Sequence, residues 1–161
     1  MGTACPQCGA VGHPIGRETV GAMARLEVPA NHLSSTSYGY CGNAVCPVVY
    51  YTGGGVVLFQ SDLRVRANAK GNGPDGPLCY CFGHTRASIA AEIVARGRSV
   101  ASAAIAREIK AGHCACEVKN PSGRCCLSEV RRFEKEKASE QKGVTALSRD
   151  TSRTDNEGCR R

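Results

Sequence analysis

Eleven cysteines in 161 residues, ten of them in short-spaced groups, constrain this chain more than any other feature. Cys5 and Cys8 form one group, Cys41 and Cys46 a second, Cys79 and Cys81 a third, and Cys114, Cys116, Cys125 and Cys126 the last, while Cys159 stands alone. Aromatic residues make up only 5% and Trp is absent, so burial of large side chains offsets little of the entropy lost on folding. Cross-links or bound metals must supply part of the missing stability. The cysteine count is odd, and Met1-Gly2-Thr3-Ala4-Cys5 lacks a basic segment leading into an apolar run, so no export signal is visible. This predicts a cytoplasmic protein, where short-spaced thiols serve as metal ligands rather than disulfides. No apolar run approaches the ~20 residues that cross a bilayer, and no membrane insertion is expected.

Composition divides the chain. In residues 1–68, Val48-Val49-Tyr50-Tyr51 and Val56-Val57-Leu58-Phe59 flank Thr52-Gly53-Gly54-Gly55, which predicts a hairpin in a small β module. Residues 69–77, rich in Gly, Pro and Asn, read as a linker. From 78 the pattern turns helical. Thr85 caps a helix with Ile89 and Ile93 on one face, ending near Gly97; Ser99 caps a second with Ala101, Ile105 and Ile109 aligned, ending at Gly112. A third helix begins near Ser128 and includes Val130 and Phe133. The helical domain is assigned to 78–140, and 141–161, polar and poor in apolar residues, to a disordered tail in which Cys159 is a bystander. The fold class is α+β.

Cys5-Pro6-Gln7-Cys8-Gly9 has the form of a zinc knuckle, two intervening residues aiming both sulfurs at one ion and Gly9 supplying a positive φ. Cys41-Gly42-Asn43-Ala44-Val45-Cys46 offers the second pair. Cys5, Cys8, Cys41 and Cys46 together satisfy tetrahedral Zn²⁺ and leave no open position, so the ion is structural and no zinc hydrolase is implied. His13 and His32 are alternative ligands, though a lone loop histidine is ordinarily just solvated.

The second thiol region suits iron. Cys79 and Cys81, one residue apart, can reach the same iron, and two antiparallel helices would return a later pair to the same end to complete a four-thiolate [2Fe–2S] cluster. Cys114, Cys116, Cys125, Cys126 and Cys159 compete for the two later places. Asn120-Pro121-Ser122-Gly123 is a turn that folds the last thiols back toward Cys116, and free N–H groups in it could donate to cluster sulfurs. A Rieske centre is the competing arrangement: Cys81-Phe82-Gly83-His84 has the right spacing, but His113 precedes its cysteine, against the usual order.

Taken together, Cys79-Tyr80-Cys81-Phe82, the helical pair, and Cys116 followed by Asn120-Pro121-Ser122-Gly123-Arg124-Cys125-Cys126-Leu127 resemble the N-terminal region of CopZ-type copper chaperones. Cys5-Pro6-Gln7-Cys8 and Tyr40-Cys41 through Cys46-Pro47-Val48-Val49-Tyr50 resemble the zinc half of the same family. The resemblance covers about residues 4–130. It implies a [2Fe–2S] domain with a helical hairpin similar to bacterioferritin-associated ferredoxin, with Cys79, Cys81, Cys116 and Cys126 as cluster ligands and Cys114 and Cys125 as neighbours able to substitute. It further implies Cu(I) held transiently, reduction of Cu(II), and a copper-exporting ATPase as partner. That family carries a C-terminal heavy-metal-associated domain with a Met-x-Cys-x-x-Cys loop, and these 161 residues contain none. The resemblance therefore implies the redox and partner-recognition half, acting with a separate heavy-metal-associated copper carrier.

No nucleotide fingerprint or nucleophile motif is present, so electron transfer is expected rather than enzymatic turnover. The other classes in play are a ferredoxin-like carrier for another oxidoreductase or iron-storage partner, and a zinc ribbon that binds nucleic acid through Arg64, Arg66 and Lys70. The formal charge of +7 counts every thiol as neutral. Each loaded four-thiolate site carries about −2, leaving about +3, and no aromatics interleave with the basic residues. Nucleic acid is therefore not the expected partner.

Overall fold

The computed structural model describes residues 4–71 and 73–150, the side chains of 144–150 excepted. Its first half is a four-stranded antiparallel meander in the order β1-β2-β3-β4: β1 His13–Gly16, β2 Ser37–Tyr40, β3 Val48–Tyr51 and β4 Val57–Phe59. Val48, Val49, Tyr50 and Tyr51 are all buried, and Val48 and Tyr51 pair with Phe59 and Val57 across the expected hairpin. A register shift between Val48 and Tyr50 bends β3, as a bulge does. The principal core of this half joins Ile15, Tyr38, Tyr40, Val49, Tyr50 and Leu58 to Val20 and Met23.

Val20 and Met23 lie on α1, Arg17–Met23, a helix within a segment read from sequence as part of a β module. Thr19, Val20 and Met23 fall one, three and four residues apart, so they share the face turned to the sheet. Seven residues are too few to signal a helix by periodicity, and packing on the sheet stabilises it.

The stretch 69–77 is fastened at several points. Asn68–Lys70 form a 3-10 turn, Lys70 Nζ donates to the Asn43 carbonyl at 2.7 Å, the Pro74 carbonyl accepts from Ala87, and Pro77 opens β5, Pro77–Cys79, which pairs with β6, His84–Thr85. Helix α2, Arg86–Arg96, starts at a reciprocal Thr85–Ser88 capping box and stops at Gly97, as the sequence predicts. In α3, Ala101–Lys110, Ser99 Oγ accepts from the Ala101 N–H, and Glu134 Oε1 from the last helix takes the Ser102 N–H. A short α4, Cys116–Lys119, follows, and then α5, Leu127–Asp150.

Helices α2 and α3 both pack on α5. Ile89, Ile93, Ala101, Ile105 and Val130 close over Leu78, Cys79 and Cys126 to form a second core. Helix α5 runs on through 141–150, where composition predicts a disordered tail. The helix is well founded before that point, where 134–140 are rich in Glu, Lys and Ala of high helix propensity and the pairs Arg132–Glu136 and Lys137–Glu140 line its surface. Residues 151–161, with Cys159, lie outside the described residues.

Candidate metal centres

The first centre forms where two turns meet. Gly9, at φ +71°, lets its N–H bond the Cys5 carbonyl at 2.8 Å while the Cys5 N–H bonds Ala10, which closes the knuckle. Cys41 follows β2, held by its N–H to the Val49 carbonyl, and Cys46 precedes β3. The four Sγ atoms lie within 4.8 Å of one another, with Cys5–Cys46 at 3.9 Å and Cys8–Cys41 at 3.7 Å. A ~2.3 Å Zn–S bond in a tetrahedron gives S···S edges of about 3.8 Å, so the donor set fits zinc. The separations far exceed the ~2.05 Å of a disulfide, and these cysteines are free.

The thiols differ in acidity. The Ala10 backbone N–H lowers exposed Cys8 to about 6 against the opposing effect of burial, whereas burial raises Cys46 to about 12 and raises Cys41 as well. Neither His13 nor His32 joins the thiols among the described residues. His13 is not a solvated loop histidine: it sits on β1, its ring against Tyr40 and its Nε2 2.9 Å from the Ser122 carbonyl.

The second centre gathers thiols from both ends of the α2–α3 segment. Cys79 closes β5 and Cys81 lies just beyond it, while Cys116 opens α4 and Cys126 immediately precedes α5. Cys81 and Cys116 are 3.6 Å apart, while Cys79 and Cys126 lie together in the second core, outside the compact group that Cys81 and Cys116 join. The neighbouring Cys126 thiol is the main cause lowering Cys79 to about 6, and Cys79 the main cause raising Cys126; burial raises Cys116. Cys114 lies 3.4 Å from Cys116, forms a compact trio with Cys81 and Cys116, and is made more acidic chiefly by the Cys116 N–H. Cys126 is 2% exposed, whereas its neighbour Cys125 faces solvent.

Asn120 through Gly123 form the expected turn, with the Gly123 N–H on the Asn120 carbonyl at 2.8 Å. Its N–H groups are not free for sulfur. Ser122 N–H goes to Asn120 Oδ1 and Arg124 N–H to Ser122 Oγ, while the Ala115 N–H, outside the turn, lies 3.4 Å from Cys81 Sγ. The Rieske arrangement finds no support: His113 Nδ1 bonds Glu108 at 2.7 Å, and no histidine groups with these thiols among the described residues.

This four-thiol knuckle on an antiparallel sheet has counterparts elsewhere. Residues 2–64 match the family model of the CopZ-type zinc binding domain. Copper chaperone CopZ of Archaeoglobus fulgidus is 29% identical over 131 residues, which take in 80% of this chain and 60% of the relative. The X-ray structure of the N-terminal domain of that CopZ superposes with a TM-score of 0.66 at 26% identity, covering 81% of this chain and 97% of the domain. These likenesses to a copper chaperone extend beyond the zinc module into the helical half. The chain spans about 60% of the length of the curated relative it matches.

Cys114 as a third member of the Cys81–Cys116 group, and the tie from His13 and Tyr50 to the second centre, are not legible in sequence. Tyr50 Oη donates to the Pro121 carbonyl at 2.6 Å across a separation of 71 residues, and no local spacing signals such a contact.

Proposed function

We propose that this chain is a cytoplasmic metal-handling redox protein with a structural zinc at Cys5, Cys8, Cys41 and Cys46 and a [2Fe–2S] cluster at Cys79, Cys81, Cys116 and Cys126. The observation that carries the second assignment is the convergence of Cys79 with Cys126 in one buried core and of Cys81 with Cys116 at 3.6 Å, from opposite ends of one helical segment. Two pairs of thiols make the four-thiolate set that a two-iron centre takes, and the burial of Cys126 favours it over exposed Cys125. The helical half is read as similar to bacterioferritin-associated ferredoxin. When bound, the cluster supplies one-electron transfer.

The chain's own residues define how that chemistry is housed. Leu78, Ile89, Ile93, Ile105 and Val130 exclude water from the Cys79–Cys126 side, while half-exposed Cys81 and Cys114 leave an edge open to a partner. The Ala115 N–H, directed at Cys81 Sγ, is placed to donate to a metal-bound sulfur. The resemblance to a copper chaperone makes Cu(II) the acceptor of choice. Soft thiolates such as Cys114 suit transient Cu(I), which would pass to a copper-transporting ATPase or a separate heavy-metal-associated carrier. The role is electron and metal transfer, not enzymatic turnover.

Mixing the anaerobically reduced protein with Cu(II) tests this reading. Oxidation of the visible chromophore in step with Cu(I) captured by a chromogenic chelator is expected. Tight Cu(I) retention that is unchanged when the chromophore is absent would instead identify a thiol carrier without redox function.

A further inference from the structure

The loop that delivers Cys126 is braced from the other half of the molecule. Tyr50, fully buried on β3, donates its hydroxyl to the Pro121 carbonyl at 2.6 Å. The Ser122 carbonyl can only accept, so His13 Nε2, 2.9 Å away, carries the proton there. Gly123, at φ +63°, lies so close to Ile15 and Thr19 that a Cβ would come within 3.2 Å of either. Within the loop, buried Asn120 accepts from Ser122 and donates to the Arg124 carbonyl at 2.7 Å. Every residue from Asn120 to Arg124 is therefore held, and Cys125 and Cys126 follow directly.

The anchors belong to the strands that carry the first four thiols. Tyr40, against which His13 packs, precedes Cys41; Tyr50 lies on the strand that follows Cys46, and the Cys41 N–H on Val49 ties those strands together. The first centre and the loop are thus physically linked through Tyr40, Tyr50 and His13.

We propose that Tyr50, with His13 beside it, is a positioning residue for the second thiol centre, holding Cys126 against Cys79 from the zinc-bearing half. The assignment rests on the reading of Cys126 as a ligand. Burial raises the Tyr50 phenol well above its usual range, so this donor does not titrate at any working pH.

The test uses the full-length chain as purified, comparing wild type with Tyr50→Phe, His13→Ala and His13→Gln. Peptide mass spectrometry follows iodoacetamide labelling of Cys126, with Cys5 and Cys46 as internal references. Zinc content, circular dichroism and, where iron is present, the reduction potential and the rate of iron loss to a chelator are read in parallel. Tyr50→Phe should keep wild-type zinc and secondary structure while Cys126 labels about tenfold faster, the ratio expected for losing one buried hydrogen bond. It should also shift the reduction potential. His13→Ala should speed labelling by a smaller factor, and His13→Gln, whose amide can donate to Ser122, should restore the wild-type rate. Unchanged Cys126 labelling in both Tyr50→Phe and His13→Ala, or acceleration equal to that at Cys5 and Cys46, overturns the proposal. Labelling is read with or without iron, so a chain that lacks iron defeats the cluster reading separately from this one.

Discussion

At the scale of single residues, the chemistry turns on which thiols ionise and which are hidden. Replacing Cys116 or Cys126 with Ser is expected to abolish visible absorption and iron retention, while Cys114→Ser and Cys125→Ser keep both; absorption spectra with iron analysis distinguish them. The acidities at the first centre give a pH prediction. At pH 7 Cys8 is ionised while Cys41 and Cys46 are protonated, so zinc must displace protons to bind. As pH falls through about 6, Cys8 takes up a proton too. Affinity should therefore drop with falling pH, and more steeply below about 6, as measured by chelator competition between about pH 5 and 8. The gathering of Cys5, Cys8, Cys41 and Cys46 is legible in sequence because each pair is closed by a local turn. The choice between Cys125 and Cys126 is not, since adjacent residues differ only in which one faces the core.

Among the elements, helix starts and stops are written locally. Thr85, Ile89, Ile93 and Gly97 mark α2 because a cap and a terminator directly flank eleven helical residues with one apolar face. Thr85→Ala should cost about 1 kcal/mol in denaturant melts by removing half of the capping box. Strand packing carries a larger penalty at Gly39. A methyl there would lie 2.4 Å from the Tyr51 ring, which packs against Cys5, Cys41 and Cys46. Gly39→Ala is expected to destabilise the first half by about 1–3 kcal/mol and to accelerate zinc loss to a chelator; an unchanged melting transition and zinc-loss rate would contradict that packing. Helix α1 and the far end of α5 escape sequence reading for opposite reasons. The first is too short to show a period and depends on the sheet beneath it, while the second continues a helix already begun in the Glu- and Lys-rich stretch before it and has no apolar period of its own to mark it.

Across the whole molecule, the two halves form one packed unit. Helix α1 packs on α4, Asn68 Nδ2 donates to Glu129 at 3.0 Å, and Tyr80 Oη donates to the Arg66 carbonyl at 2.6 Å. None of these joins residues close in sequence, which is why composition presents two modules and a linker where the fold shows a shared interface. The central proposal is two kinds of metal centre in one chain. Iron, acid-labile sulfide and zinc analysis of anaerobically purified protein tests it most directly. About two iron and two sulfide with about one zinc per chain is the expected result; a colourless protein containing zinc alone would contradict it.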